Sequence, residues 1–358
     1  VKNLEKKTIA LIQKGNILDD EFNAHAMLLF QAQYEGIPEY KRFCETRQKT
    51  PDNVELYTEI PALPTDVFKH ISLFWGEEKK RTFQTSGTTQ GLRGQHYFDT
   101  LDIYNASMEK PFLDYVLKKE VDAFLILAPP SDLLEDSSLS YMLTRMANRY
   151  APHHVYFVGI DEDKALQMEY EKLKSRLDGT TKKVAILTTA FALIGFLDAY
   201  PGQKWTLPAG SLVMETGGLK GRGRELSRKE FYQMIVGRLG ISERSIVSEY
   251  SMTELSSQSY TNTIADEISW EDAAYFTPPW ARVDLVDPRT MLVDNSLERG
   301  LIRWFDLANV YSISAILTSD MGTLKGERSG RRGFELLGRA VGAQIRGCSL
   351  TIEEILTP

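Results

Sequence analysis

Cysteine is nearly missing from this chain: there are two, Cys44 and Cys348, in 358 residues. That excludes a disulfide framework and points to a reducing compartment. Histidine is scarce as well, with five, and only His153 and His154 adjoin. No spacing suits zinc, and that pair, leading into an apolar stretch, is expected to pack. No apolar run is long enough to cross a bilayer. The longest apolar-leaning stretch, residues 184–197, contains Thr188 and Thr189 and reads as a buried strand running into a helix. The chain as given does not start with the charged and then apolar pattern of a signal peptide, so the expectation is a cytoplasmic protein without membrane insertion. Positive charge is not in excess. A net charge of −7 and a pI near 5.5 argue against a nucleic-acid surface. Also missing are a G-x-S-x-G elbow, a G-x-G-x-x-G fingerprint and a Walker A loop.

What is present is an ordinary globular composition, long enough for about two domains. The first fifty residues have helical spacing, clearest in "EFNAHAMLLFQAQY". "IPALPTDVFKH" at 60–70 is broken by two prolines and is expected to be extended. From residue 121 strand and helix patterns alternate. "VDAFLILAPP", "HHVYFVG", "KKVAILTT", "SLVMETGG" and "RSIVSEY" read as strands. "SSLSYMLTRMANRY", capped by Ser137 or Ser138, reads as a helix, as do "EDKALQMEYEKLKSRL", "AFALIGFLDAY" and "SRKEFYQMIVGRLG". After about residue 275 the helices fade into β-rich sequence, with "ARVDLVDP", "LIRWFDL" and "SISAILTSDMG". The order implies an α/β fold, with mixed β-sheets flanked by helices and a β-rich later part.

Four segments carry chemistry. "TSGTTQGLRG" at 85–94 packs badly into a core and makes a poor helix. Its glycines allow close approach of a ligand, its N–H groups and hydroxyls can nest an anion, and Arg93 adds charge. A flexible surface turn is the other reading. "SEYSMTELSSQSY" at 248–260 places Tyr250, Thr253 and Glu254 where an apolar strand meets a polar turn, the usual ligand position in an open α/β sheet. Tyr250 could stack on a base, Thr253 bond a phosphate, and Glu254 hold Mg2+; a capped helix start with an exposed glutamate is equally compatible. In "TSDMG" Asp320 follows a strand and could accept ribose hydroxyls, or be a commonplace turn residue. Cys348 lies in glycine-flanked "IRGCSL" two residues from Arg346, a setting that favours a nucleophilic thiolate. Cys44, in "YKRFCETR", reads as buried and inert.

In this order the segments resemble the adenylate-forming superfamily, and more closely the acyl-protein synthetases of bacterial bioluminescence. The resemblance rests on Phe68-Lys69 ahead of the loop, "ETGGLKGR" at 215–222, "EYSMTELSSQSY" at 249–260, "PPWAR" at 278–282, "DLAN" at 306–309 and "RGC" at 346–348. It covers the chain from about residue 60 onward. It implies ATP-dependent activation of a carboxylic acid, a fatty acid in that family, to acyl-AMP with pyrophosphate release. The acyl group then passes to the enzyme's own cysteine, here Cys348, for delivery to an acceptor protein such as a reductase. The implied cofactors are ATP and Mg2+. The implied nucleotide residues are Thr85, Ser86, Gly87, Thr88 and Thr89, then Gly217 and Gly218 beside Tyr250, then Asp320 with Arg339. The catalytic set is Cys348, Glu254, Thr253 and Arg93, with Glu254 at the metal. Basic loops at 220–229 and 326–333 face the nucleotide or are solvated turns.

The sequence departs from the superfamily at three places. Gln90, Gly91, Leu92 and Arg93 stand where Gly-x-Pro-Lys is usual, and Ser251 stands where glycine is usual. The small C-terminal domain of CoA ligases, with its lysine, is expected to be absent or truncated. The expected organisation is an adenylate-forming domain over 1–337, with 1–60 as its helical N-terminal extension, and an arm over 338–358 carrying Cys348. Glycines 338, 342 and 347 suit a mobile arm. An aryl- or acyl-CoA ligase and a non-catalytic nucleotide-binding subunit are the alternatives.

Overall fold

A computed structural model of the chain describes residues 1–86, 92–161, 165–217 and 226–340. Contacts divide it into two units. The first holds Val1–Met108, Ser251–Gln258 and the residues from Phe276 on; the second holds Glu109–Tyr250 and Ser259–Tyr275.

The helical start is α1 (Lys2–Lys14), α2 (Asp19–Gly36) and α3 (Pro38–Thr46), with Pro38 at the first turn of α3, where its missing N–H is harmless. Cys44 on α3 is fully buried, and burial pushes its thiol up to about 12, as expected of an inert cysteine. The 60–70 stretch is extended only at β1 (Leu63–Pro64) and then winds into a 3-10 turn, Thr65–Lys69. Pro64 sits just ahead of that turn at φ −61, so it bounds the turn rather than prolonging a strand. No sequence signal marked the next elements, the antiparallel hairpin β2 (Arg81–Gln84) and β3 (Gln95–Phe98), and α4 (Asp102–Tyr115).

The second unit contains β4 (Ala123–Leu127), α5 (Ser138–Tyr150), β5 (His154–Tyr156), β6 (Val158–Ile160), β7 (Leu166–Met168) and α6 (Tyr170–Asp178). It continues through β8 (Val184–Thr189), α7 (Ala190–Ala199), β9 (Leu212–Thr216), α8 (Arg228–Leu239), β10 (Ile246–Tyr250), β11 (Ser259–Thr261) and α9 (Thr263–Asp266). Its sheet runs β5-β4-β8-β9-β10-β11, parallel except for β11. Continuous apolar runs suit strands covered on both faces, and every residue of β4 is buried. One face packs Leu125, Ile186, Val213 and Ile246 with residues of α7 and α8.

Local signals explain the helix ends. Ser137 caps α5 by accepting from Ser140 N at 3.1 Å. Ser227 and Glu230 form a capping box on α8. That helix stops at Gly240, in the left-handed region, where a Cβ would lie 2.9 Å from the carbonyl oxygen of Trp205.

Three expectations fail here. The helix read across 162–177 begins only at Tyr170, because 166–168 alternate as a strand paired to 158–160. "HHVYFVG" is divided between β5 and β6 rather than forming one strand. His153 and His154 are exposed, not packed.

The later chain is β-rich as expected: β12 (Tyr275–Phe276), β13 (Ala281–Val286), β14 (Gly300–Asp306), β15 (Ala315–Arg328) and β16 (Arg331–Arg339). In the first unit β13-β14-β15-β16 form an antiparallel run, and β1 adds to β15 in parallel. Phe22 of α2, Tyr57 and Phe305 of β14 meet edge to face, tying the helical start to these strands. The basic segment 326–333 spans the tight β15–β16 hairpin, and Arg331 there donates to the Thr277 carbonyl.

Candidate active site

In the first unit, β2 and β3 hold the two ends of the 85–94 loop. Thr85 N–H donates to Gly94 O at 2.9 Å, and Gly94 N–H donates to Thr85 Oγ1 at 2.9 Å. Arg93 Nε donates to Thr85 O at 2.6 Å, with Nη2 3.4 Å from Gln84 O. The arginine expected at a phosphate therefore braces the base of its own loop. Thr85 is half-buried and Ser86 exposed, while Gly87, Thr88 and Thr89 lie outside the described residues.

Glu254 stands beside this base. A Cβ built on Gly94 would lie 3.2 Å from Glu254 Oε1 and 3.1 Å from Thr85 Cγ2, so a side chain there would require one of them to give by a few tenths of an ångström. The glutamate lies in a turn, not at a helix start, and it is buried rather than exposed. Burial pushes its carboxyl up to about 7, against a smaller pull from its own N–H and the charges of Lys69 and Arg339. It has no ion-pair partner among the described residues. Thr253 is half-buried beside it, and its carbonyl accepts from His96 Nδ1 at 2.9 Å.

Asp320 and Arg339 are brought together. They are register partners on β15 and β16, with Arg339 Nε 3.9 Å from Asp320 Oδ1. Asp320 is not in a turn after a strand. It lies inside the fourteen-residue β15, just before an irregularity in pairing between Met321 and Gly322. The strand continues because β16 supplies a partner on that edge.

In the second unit, Gly217 and Tyr250 follow or end adjacent parallel strands, whose last register pair is Glu249 with Thr216. Gly217 has φ 99, in the left-handed region that favours glycine. Tyr250 is half-buried, its ring centroid 6.0 Å from that of Tyr275. Carboxyl ends of parallel strands are where such sheets bind ligands. Gly218 lies outside the described residues, as does Cys348.

Two groups were quoted from the sequence without a role of their own. "DLAN" is a buried bracket. Asp306 accepts from Ser256 N–H at 3.0 Å and Ser257 Oγ at 2.8 Å, while Asn309 Nδ2 donates to Glu254 O at 2.8 Å. Beneath Gly217 and Tyr250, Glu215 accepts from Tyr232 OH at 2.7 Å, and Ser248 Oγ lies 2.6 Å from Tyr275 OH. The signal was an acidic residue inside an otherwise apolar strand pattern, as in "SLVMETGG".

Solved structures set the class. The chain resembles 2-hydroxyisobutyryl-CoA ligase, crystallised in an open conformation with 2-HIB-AMP and CoA, at a TM-score of 0.65 over 90% of this chain and 74% of that one, with 15% identity. The fold is that of adenylate-forming ligases. Within that class, the family model "Acyl-protein synthetase, LuxE" matches residues 12–357, and the chain belongs to that family. Two relatives share 22% identity over 343 residues: the long-chain-fatty-acid–luciferin-component ligases of Vibrio harveyi, over 92% of this chain and 86% of the relative, and of Aliivibrio fischeri, over 91% and 86%. The protein is thus a ligase of the acyl-protein synthetase family.

Proposed function

We propose that the chain activates a fatty acid with ATP and then carries the acyl group on Cys348 for delivery to an acceptor protein. The observation that supports this reading best is the buried Glu254 carboxylate, without an ion-pair partner among the described residues, against Gly94 at the neck of the 85–94 loop. A carboxylate oxygen of the acid attacks the α-phosphorus of ATP. The bond from that phosphorus to the bridging oxygen breaks, and pyrophosphate leaves. The Cys348 thiolate, having lost its proton, then attacks the acyl carbonyl, and AMP leaves.

The chain's own part is positioning and charge control. Loop N–H groups and the hydroxyls of Thr85, Ser86, Thr88 and Thr89 would hold the phosphates, with Arg93 keeping the loop closed at its base. Gly217, Gly218 and Tyr250 would take the base, and Asp320 with Arg339 the ribose. Mg2+ fits Glu254, because that ion takes few protein carboxylates beside substrate phosphates and this buried carboxylate has no ion-pair partner among the described residues. Bound there, it would neutralise charge on the phosphates. The acceptor by this reading is a reductase and the compartment the cytoplasm.

Intact-protein mass after incubation with ATP, Mg2+ and mixed carboxylic acids tests the proposal. The expected result is an acyl mass that hydroxylamine removes and Cys348→Ser abolishes. Pyrophosphate release without any mass shift would overturn self-acylation and favour transfer to CoA.

A further inference from the structure

Glu254 sits on irregular backbone. Leu255 N–H turns back to Met252 O at 3.0 Å, and no helix or strand covers residues 251–258. Buried carbonyls in such a segment need donors from elsewhere. Two consecutive ones receive them from side chains remote in sequence. His96 Nδ1 donates to Thr253 O at 2.9 Å, and Asn309 Nδ2 donates to Glu254 O at 2.8 Å. His96 is 1% exposed and Asn309 fully buried. Asn309 also reaches Ile313 O at 2.9 Å, so its amide is fixed from both sides. Further along, Asp306 holds Ser256 and Ser257, Trp280 Nε1 donates to Ser257 Oγ at 3.1 Å, and Ser107 donates to Ser256 O.

His96 lies on β3, two residues beyond Gly94, which immediately precedes that strand. One three-residue stretch, 94–96, thereby carries both the glycine that Glu254 faces and the imidazole that grips the peptide next to Glu254. The ring is locked by Phe68, edge-on at 6.5 Å, and by Phe98 at 4.3 Å. Its other nitrogen, Nε2, has no hydrogen-bond partner among the described residues. A purely apolar side chain would fill this place without leaving that buried acceptor unmet, so the retained polarity is placed for the Thr253 contact.

We infer that His96 and Asn309 are positioning residues: by holding the carbonyls of Thr253 and Glu254 they fix both peptide planes and aim the Glu254 carboxylate at the loop base. This rests on the role proposed for Glu254. Displacing such a support costs about 10–100-fold in activity or metal affinity.

The test compares His96→Leu, His96→Asn and Glu254→Gln by pyrophosphate-release kinetics. It adds Mn2+ affinity in the presence of a non-hydrolysable ATP analogue, and melting curves. An asparagine amide nitrogen can occupy the place of Nδ1 but leaves a larger void than leucine. The expected result is a fall in kcat of about 10–100-fold for His96→Leu with KM for ATP nearly unchanged, Mn2+ binding weakened in parallel, and recovery of both to within about threefold in His96→Asn. If His96 merely packs, Asn is the worse replacement. An Asn variant as slow as the Leu variant, or a His96→Leu enzyme at wild-type kcat while Glu254→Gln is inactive, overturns positioning alone. Wild-type kcat in Glu254→Gln overturns the role of Glu254 and this inference with it. Should His96→Leu fail to fold, Asn309→Ser replaces it: its hydroxyl cannot span both carbonyls, and unchanged kcat there overturns the inference.

Discussion

Each unit buries a glutamate at a segment marked for nucleotide chemistry, Glu215 in the second and Glu254 in the first, at 4% and 5% exposure. Their surroundings differ in kind. Glu215 belongs to a parallel strand, so its direction is set by β9 and its register with β8 and β10. Burial raises its pKa, but Ser248, Tyr232 and the charge of Arg228 pull back. The carboxylate is satisfied where it stands. Glu254 lies on irregular backbone and, among the described residues, receives its own N–H and the charges of Lys69 and Arg339. A buried anion left so poorly compensated is costly unless a cation arrives. Regular structure places the carboxylate whose partners lie around it, whereas side-chain brackets place the one proposed to take a ligand.

The largest expected effect follows from that contrast. Glu254→Gln should lower the rate of pyrophosphate release by about 10²–10³-fold, while Glu215→Gln should change it less than about threefold and destabilise the fold by about 1 kcal/mol through a misfitted amide. Release kinetics and denaturant melts on the same preparations would show the separation. A large rate loss from Glu215→Gln with Glu254→Gln active would reverse the two roles.

A second separation lies in the pH dependence of stability without metal or nucleotide. The Glu254 carboxyl is raised from 4.5 to about 7, so the native state binds its proton more tightly than the unfolded chain does. Its ionisation therefore removes stability progressively as pH rises from about 4.5 to about 7, with little further change above. Glu254→Gln cannot ionise and should gain on the wild type across that window, by an amount on the order of 2 kcal/mol at its upper end. Melts at pH 5 and pH 8 check the sign: a gap that does not widen with pH rules out a strongly raised carboxyl.

The same division governs what could be read from sequence. The second unit was largely legible, because apolar runs such as "AFLIL" and caps such as Ser137 and Ser227 act locally. Its misreading at 166–168 came from residues of a helical pattern drafted into a two-strand ribbon by pairing. In the first unit, Glu254 was singled out as a candidate from its motif, but its burial and its supports were not visible. His96 and Asn309 are 157 and 55 residues from the carbonyls they hold, and hydrogen bonds across such separations leave no periodic trace. Asp320 was likewise placed in a turn because the partner strand that prolongs β15 comes later in the chain.

The smallest effects distinguish two glycines, one in each unit. Gly217 has φ 99 and nothing within 4 Å of its would-be Cβ among the described residues, so alanine there meets backbone strain. Gly217→Ala should cost about 1 kcal/mol in stability with a modest change in rate. Gly94 is not among the positive-φ residues, and alanine there would press on Glu254 Oε1 at 3.2 Å and Thr85 Cγ2 at 3.1 Å. Gly94→Ala should therefore slow pyrophosphate release about tenfold by displacing the carboxylate. Shortening the neighbour tests whether contact is the cause. In a double-mutant cycle, Gly94→Ala should cost much less on a Glu254→Asp background, because the smaller side chain clears the added methyl. Purely additive losses in that cycle would mean that Gly94 acts through the loop backbone and not through Glu254.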